Sequence, residues 1–405
     1  MTATSQVTAT SQVTGASIPD LQRRFRMEDR LSGLLDDKIR GRAADQSGAA
    51  PSLAERTASL TDFLIAELGG DVVVRDMARM SGGGANETYG FVLDHGGESR
   101  RLALRIKTAG AICATDATRE FEMLGVVSKV LPAPKPLAVT EDSAWFGAPA
   151  FIAEFVSGTS VPTFDVPKAT GLGVTYGARL RKSLAAPFIE HCAALHSYDG
   201  WDADDLSAFD IPRAGTTDAI DWRLAFWERS WEQDKVEEHP AMLLTRQWLE
   251  ENKPAADRIS LLHGDYRNGN FLFDEETGEF VSVIDWELCY LGDRHSDLAY
   301  TMLPGWGSLD ENGVFLVAGL VDTETFIAEY ERRSGLSVDM DKLNYYYVYN
   351  YYWAIESLLG TGPGHAHRRL TQLDVMYNFI SGLGGRFVGD VNALILEDLN
   401  AAHDS

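Results

Sequence analysis

The chain has 405 residues, 45% apolar and 24% charged, an ordinary balance for a soluble enzyme and enough for two or three packed lobes. Its formal net charge of −24 repels nucleic-acid phosphates and anionic membrane surfaces, so neither is an expected partner. Cys113, Cys192 and Cys289 show no metal-ligand spacing and lie in apolar settings, which points to buried thiols in a reducing, cytoplasmic compartment; no apolar stretch is long enough to span a bilayer.

In chain order, residues 1–17 carry TATSQV twice and lack the apolar run of a secretory signal, so they read as a flexible tail. Residues 18–42 place Leu21, Phe25, Leu31, Leu34, Leu35 and Ile39 at helical spacing and predict one amphipathic helix lying on the main body, followed by a small-residue linker over 43–52. A helix over 53–68 stops at Gly69-Gly70. Strand-like runs follow at 72–80, 89–93 and 101–106, with a polar turn over 95–99. A helix over 115–130, closed by Pro132 and Pro134, precedes strands at 135–140 and 148–155. This order predicts an α+β lobe, a small antiparallel sheet with one helix. Beyond Gly158 the chain turns helical, over 185–196, 222–231 and 241–251, with a strand and hairpin section at 259–284. From about residue 323 it is helical and aromatic-rich, and the tyrosine tract 345–352 reads as core helix rather than as a stacking platform. The expected division is 1–52 tail, helix and linker, 53–157 N-lobe, and 158–405 helical C-lobe.

The segment LLHGDYRNGNFLFDEETGEFVSVIDWELCYLGDRHSDLAY, residues 261–300, carries the densest chemistry. Asn270 follows Asp265 by five positions, and Asp285 closes a short hairpin. Any one of the three reads as an ordinary loop cap. Together they suit phosphoryl transfer, which needs positioning and cancellation of negative charge rather than covalent work by the protein. Mg²⁺ takes oxygen ligands, which Asn270 and Asp285 offer, and Asp265 is placed to orient an acceptor hydroxyl and receive its proton.

Upstream, Ser81, Gly82, Gly83, Gly84 and Asn86 lie between two strands, where backbone N–H groups can fold over phosphates unobstructed. Alone, such a stretch is no more than a hairpin turn. Arg105 then puts a cation on the following strand, and Glu120 in the next helix is placed to hold it; in isolation both are ordinary surface charges.

Loop, cation, helix glutamate, HGDxxxxN and IDWE in this order resemble the aminoglycoside phosphotransferase and choline kinase family, over about residues 77–385. SGGGANETY, REFEMLGVVSKVLPAPKP, HGDYRNGNFLFD and IDWELCYLGDRHSDLAY, with the tyrosine-rich tract of 334–353, are closest to the kinase-like domain fused to, or encoded beside, acyl-CoA dehydrogenases. The resemblance implies a two-lobed protein-kinase-like fold with ATP in the cleft. It makes Asp265 the catalytic aspartate, Asn270 and Asp285 the magnesium ligands, and Glu154 and Val156 the residues whose backbone C=O and N–H bind adenine. It makes Asp297 a brace of the catalytic loop, a role His263 shares. The family at large has lysine where this chain has Arg105; Lys107, on the same side of the strand, is the fallback phosphate contact.

The expected activity is ATP-dependent phosphorylation of a small-molecule hydroxyl, with a hydroxyacyl-CoA or related hydroxy acid favoured as acceptor by the subgroup. An antibiotic or choline-like amine is the alternative that the acidic charge favours. A non-catalytic nucleotide-binding protein is disfavoured by the intact Asp265, Asn270 and Asp285, and a protein kinase by the lack of an activation segment after Asp285.

Overall fold

The computed structural model describes residues 17–43, 51–80, 86–107, 113–163, 174–363 and 374–403. The expected tail, most of the linker and the glycine-rich residues Ser81, Gly82, Gly83 and Gly84 lie outside the described residues.

The first described segment folds as two helices, α1 (Ile18–Arg24) and α2 (Asp29–Ala43), rather than one. The break has a packing cause. Phe25 turns extended and buries with Leu21 and Ile39, and Glu28 turns inward to pair with Arg119. Helix α3 (Leu53–Leu68) has the expected bounds: Ser52 and Glu55 form a reciprocal capping box, and Gly69 ends the helix at φ +67°.

Strands β1 (Val72–Arg79), β2 (Asn86–His95), β3 (Glu98–Lys107), β4 (Pro136–Thr140) and β5 (Ala150–Glu154) form one antiparallel sheet in the order β1-β2-β3-β5-β4. Gly96 and Gly97, both at positive φ, make the two-residue turn that fixes the β2–β3 register, with Thr88 opposite Arg105 and Asn86 opposite Lys107. Alternation along β3 then sorts its side chains. Leu102, Leu104 and Ile106 bury with Leu60, Phe63 and Leu64 of α3, so Arg105 and Lys107 face the other way, towards helix α4 (Ala117–Val127). A short helix, α5 (Ser143–Phe146), joins β4 to β5.

The second lobe is built on α6 (Ala178–Ser197), α7 (Asp218–Asp234), α8 (Pro240–Glu251), α9 (His295–Thr301), α10 (Thr323–Ser334), α11 (Met340–Ile355) and α12 (Asp374–His403). Between them lie two strand pairs, β6 (Ser260–Leu262) with β9 (Tyr290–Gly292) and β7 (Phe271–Phe273) with β8 (Phe280–Val283). Three short strands, β10 (Ser308–Leu309), β11 (Phe315–Val317) and β12 (Val321–Asp322), form a further small sheet that sequence patterning did not anticipate. The tyrosine tract is core helix as expected: Tyr345, Tyr346, Tyr349, Tyr351 and Tyr352 are all buried, and Trp353 stacks between Trp227 and Tyr300. Among the described residues no helix is long and apolar enough to cross a membrane.

Helix α11 runs on into a π-helical turn, Glu356–Thr361, which buries Glu356 completely. Burial, and after it the Asp234 carboxylate, push Glu356 up to about 7. A carboxyl raised in the folded state keeps its proton there while the unfolded chain loses it. Stability is therefore expected to fall as pH rises from about 4.5 to about 7, by on the order of 3 kcal/mol from this group. Denaturant unfolding of wild type and Glu356→Gln across pH 5–8 checks this: the substitution should flatten the slope and stabilise the protein at the alkaline end.

Candidate active site

The loop after β6 is held from below by one side chain. Asp297, on α9 and 1% exposed, accepts the backbone N–H of His263 (2.7 Å) and of Gly264 (2.9 Å). The glycine is required: its φ is +79°, and a Cβ there would fall 2.2 Å from the backbone oxygen of Leu288. His263 is buried and serves the backbone. Its Nδ1 accepts the Asp265 N–H (3.2 Å), which leaves Nε2–H to donate to the Ile284 carbonyl (2.9 Å). Both residues thus brace the loop. Asn268, fully buried, adds a third anchor by donating to the carbonyls of Val174, Trp306 and Ala318.

The same loop presents Asp265. Its Oδ1 accepts Arg267 Nε (2.8 Å), and its Oδ2 accepts the Asn270 amide (2.6 Å), which also donates to the Asp265 main-chain oxygen (2.9 Å). Asn270 starts the β7–β8 hairpin, and the Ile284 N–H donates to the Asn270 carbonyl (2.9 Å), so the hairpin returns the chain to Asp285 beside it. Asp285 stands at φ +68°, a strained conformation for a residue with a Cβ, as found where a site over-determines its backbone. Burial pushes the Asp285 carboxyl up, but the Arg105 guanidinium outweighs it and holds the group below the usual carboxylate range.

From above, β3 and α4 supply two cations on one carboxylate. Arg105 meets Glu120 Oε1 at 2.9 Å and Lys107 Nζ meets Oε2 at 2.8 Å; Glu120 is 1% exposed. Arg105 also reaches down to Asp285 Oδ1 (3.0 Å) and so spans the cleft, whereas Lys107 is buried behind Glu120. Burial opposes the charge on Arg105, yet Glu120, Asp285 and Glu287 keep it firmly protonated.

Two residues without an assigned role in the sequence reading complete the picture. Glu287, two beyond Asp285, accepts the Asn86 amide at 2.8 Å and so ties the end of the glycine-rich segment to the IDWE loop. Burial, then Asp285, push its carboxyl up to about 7. Arg267, besides its contact with Asp265, lies over Trp306 with the guanidinium 4.6 Å from the ring. A cation two positions after the loop aspartate was the signal that could have found it. Glu154 ends β5 and is exposed, and Val156 lies half-buried two residues along the connector.

The donor set suits Mg²⁺. Asp285 and Asn270 offer only carboxylate and amide oxygens, and Asn270 spends its amide hydrogens on Asp265, which leaves its Oδ1 for a cation.

This arrangement, a small antiparallel lobe with a cation–glutamate pair over a helical lobe with an Asp–Asn–Asp loop cluster, defines a kinase-like phosphotransferase. The chain belongs to the phosphotransferase enzyme family, whose model matches residues 76–343. Among curated proteins it is 27% identical over 298 residues to acyl-CoA dehydrogenase family member 10 of Mus musculus, covering 70% of this chain and 26% of that one. It is 28% identical over 285 residues to family member 11 of Gallus gallus, covering 67% of this chain and 34% of that one. The chain thus spans about a third or less of these relatives. Among solved structures, a choline kinase from Cryptosporidium parvum shares the fold at a TM-score of 0.53 and 14% identity, covering 85% of this chain and 97% of that one. An ethanolamine kinase from Plasmodium vivax does so at 0.50 and 10%, covering 90% and 94%.

Proposed function

We propose that the chain is an ATP- and Mg²⁺-dependent O-phosphotransferase whose acceptor is a small hydroxylated acid, free or CoA-linked. The observation that carries this is the convergence of Asp265, Asn270 and Asp285 beneath Arg105, with Arg105 itself bridging Glu120 and Asp285. In this reading 53–157 binds nucleotide, with Ser81, Gly82, Gly83, Gly84 and Asn86 over the phosphates and the backbone of Glu154 and Val156 on adenine. Residues 158–405 carry catalysis and the acceptor. Asp265 orients the acceptor hydroxyl and takes its proton as that oxygen bonds to the γ-phosphorus and the bond to the ADP oxygen breaks. Asn270 and Asp285 would hold Mg²⁺, which when bound neutralises charge on the phosphates. Three free cysteines fit a reducing, cytoplasmic setting.

The acidic acceptor has two supports. The relatives in which this kinase-like segment recurs are named as acyl-CoA dehydrogenase family members. The charge beside Asp265 is the Arg267 guanidinium, which favours an anionic acceptor over an amine despite the net charge of the chain. Comparison of hydroxyacyl-CoA and hydroxy-acid acceptors with choline-like amines and aminoglycosides tests the choice. Higher kcat/KM for the acids is expected, and preference for the cations would reverse it.

The reach of Arg105 to Asp285 supports taking it, rather than Lys107, as the phosphate contact. Arg105→Gln is therefore expected to weaken Mg·ATP binding about 10- to 100-fold, more than Lys107→Gln does, as read by calorimetric titration.

A further inference from the structure

Residues 17–43 precede the region matched by the family model, which begins at residue 76, yet they are pinned to both lobes. Towards the upper lobe, Glu28 takes both terminal nitrogens of Arg119, and Arg30 Nε pairs with Asp116 at 2.5 Å. Towards the lower lobe, Asp36 pairs with the fully buried Arg229 of α7, and Lys38 Nζ with Asp234 at 2.5 Å. Glu28 joins the lobes by itself, since its Oε2 also accepts the Asp210 N–H (3.2 Å). Leu31 and Leu35 of α2 are buried in the same hydrophobic cluster as Met123, Leu124 and Val127 of α4.

The ion pairs of Glu28 and Arg30 fall on the N-cap and first turn of α4. Asp116 is its N-cap, accepting the N–H groups of Thr118 (2.8 Å) and Arg119 (3.0 Å), and the next residue is Glu120, which holds Arg105 and Lys107. Buried ion pairs add little net stability over apolar packing, because each charge must be desolvated; what they do fix is register.

We propose that this helical extension is a positioning element of the nucleotide site: with α2 anchored to α7 through Asp36 and Lys38, Glu28 and Arg30 pin the first turn of α4 and so set Glu120 against Arg105 and Lys107. The inference rests on the nucleotide reading above. In this role the extension acts through Glu120.

The test uses the full chain carrying Glu28→Gln, or the milder Arg30→Gln at a partly exposed position, with Mg·ATP binding read by calorimetry and folding read by thermal melting. Weakening of Mg·ATP binding by about tenfold is expected in folded protein, and in a Glu120→Gln background the same substitutions should add nothing. Folded variants that melt earlier but bind Mg·ATP as wild type does would reduce the extension to a structural prop and overturn the proposal. Additive losses in the Glu120→Gln background would overturn it too. Wild-type protein that fails to bind Mg·ATP overturns the nucleotide reading itself, which separates the two failures.

Discussion

Asp265→Asn is expected to lower kcat for acceptor phosphorylation by about 10²–10⁴-fold while leaving Mg·ATP binding near that of wild type. The carboxylate is already oriented by Arg267 at 2.8 Å and by the Asn270 amide at 2.6 Å, so the loop keeps its shape through its other anchors when the charge is removed. In the proposed mechanism, what is lost is the acceptor for the hydroxyl proton. An amide also sets an N–H against one of two donors, and a modest fall in melting temperature is expected with the loss of rate. Single-turnover measurement of phosphoryl transfer beside calorimetric ATP titration separates these effects. Retention of full transfer by the variant would move the base to another residue.

Asp285→Asn is expected to act earlier, on the metal. The carboxylate is held ionised by Arg105, and its removal should shift the Mg²⁺ dependence of activity to higher concentration and lower kcat by on the order of 10²-fold. An amide still accepts from Arg105, so the cation on β3 should stay in place and nucleotide affinity without metal should change little. Titration of Mg²⁺ at fixed ATP is the check. A fall in rate with an unchanged metal midpoint would assign the metal to other oxygens, of which Glu287 is the nearest in sequence.

The site was legible where it is local. Asp265, Asn270 and Asp285 are joined by one loop and one short hairpin, so their spacing carried their meeting. The β2–β3 turn made the alternation of β3 readable, and with it the shared face of Arg105 and Lys107. It could not choose between them, because both reach Glu120; they differ in that Arg105 also spans to Asp285. The apolar spacing of the extension showed that it lies on the main body, but its charged partners were not legible: Glu28 and Arg119 lie 91 residues apart, and neither is distinguished by its neighbours from a surface charge. The break between α1 and α2 follows from the same contact, and helical periodicity runs straight through it. Strands β10 to β12 are two or three residues long, too short for any period to show. The tyrosine tract was readable as core because its length and apolar rings leave few other places for it.

Phosphorus NMR of the wild-type chain with Mg·ATP and the pooled acceptors tests the central claim most directly. A phosphomonoester resonance that grows in step with ADP, requires Mg²⁺ and is absent with Asp265→Asn is expected. ATP that stays intact with every acceptor, in protein that also fails to bind it, would rule out a phosphotransferase.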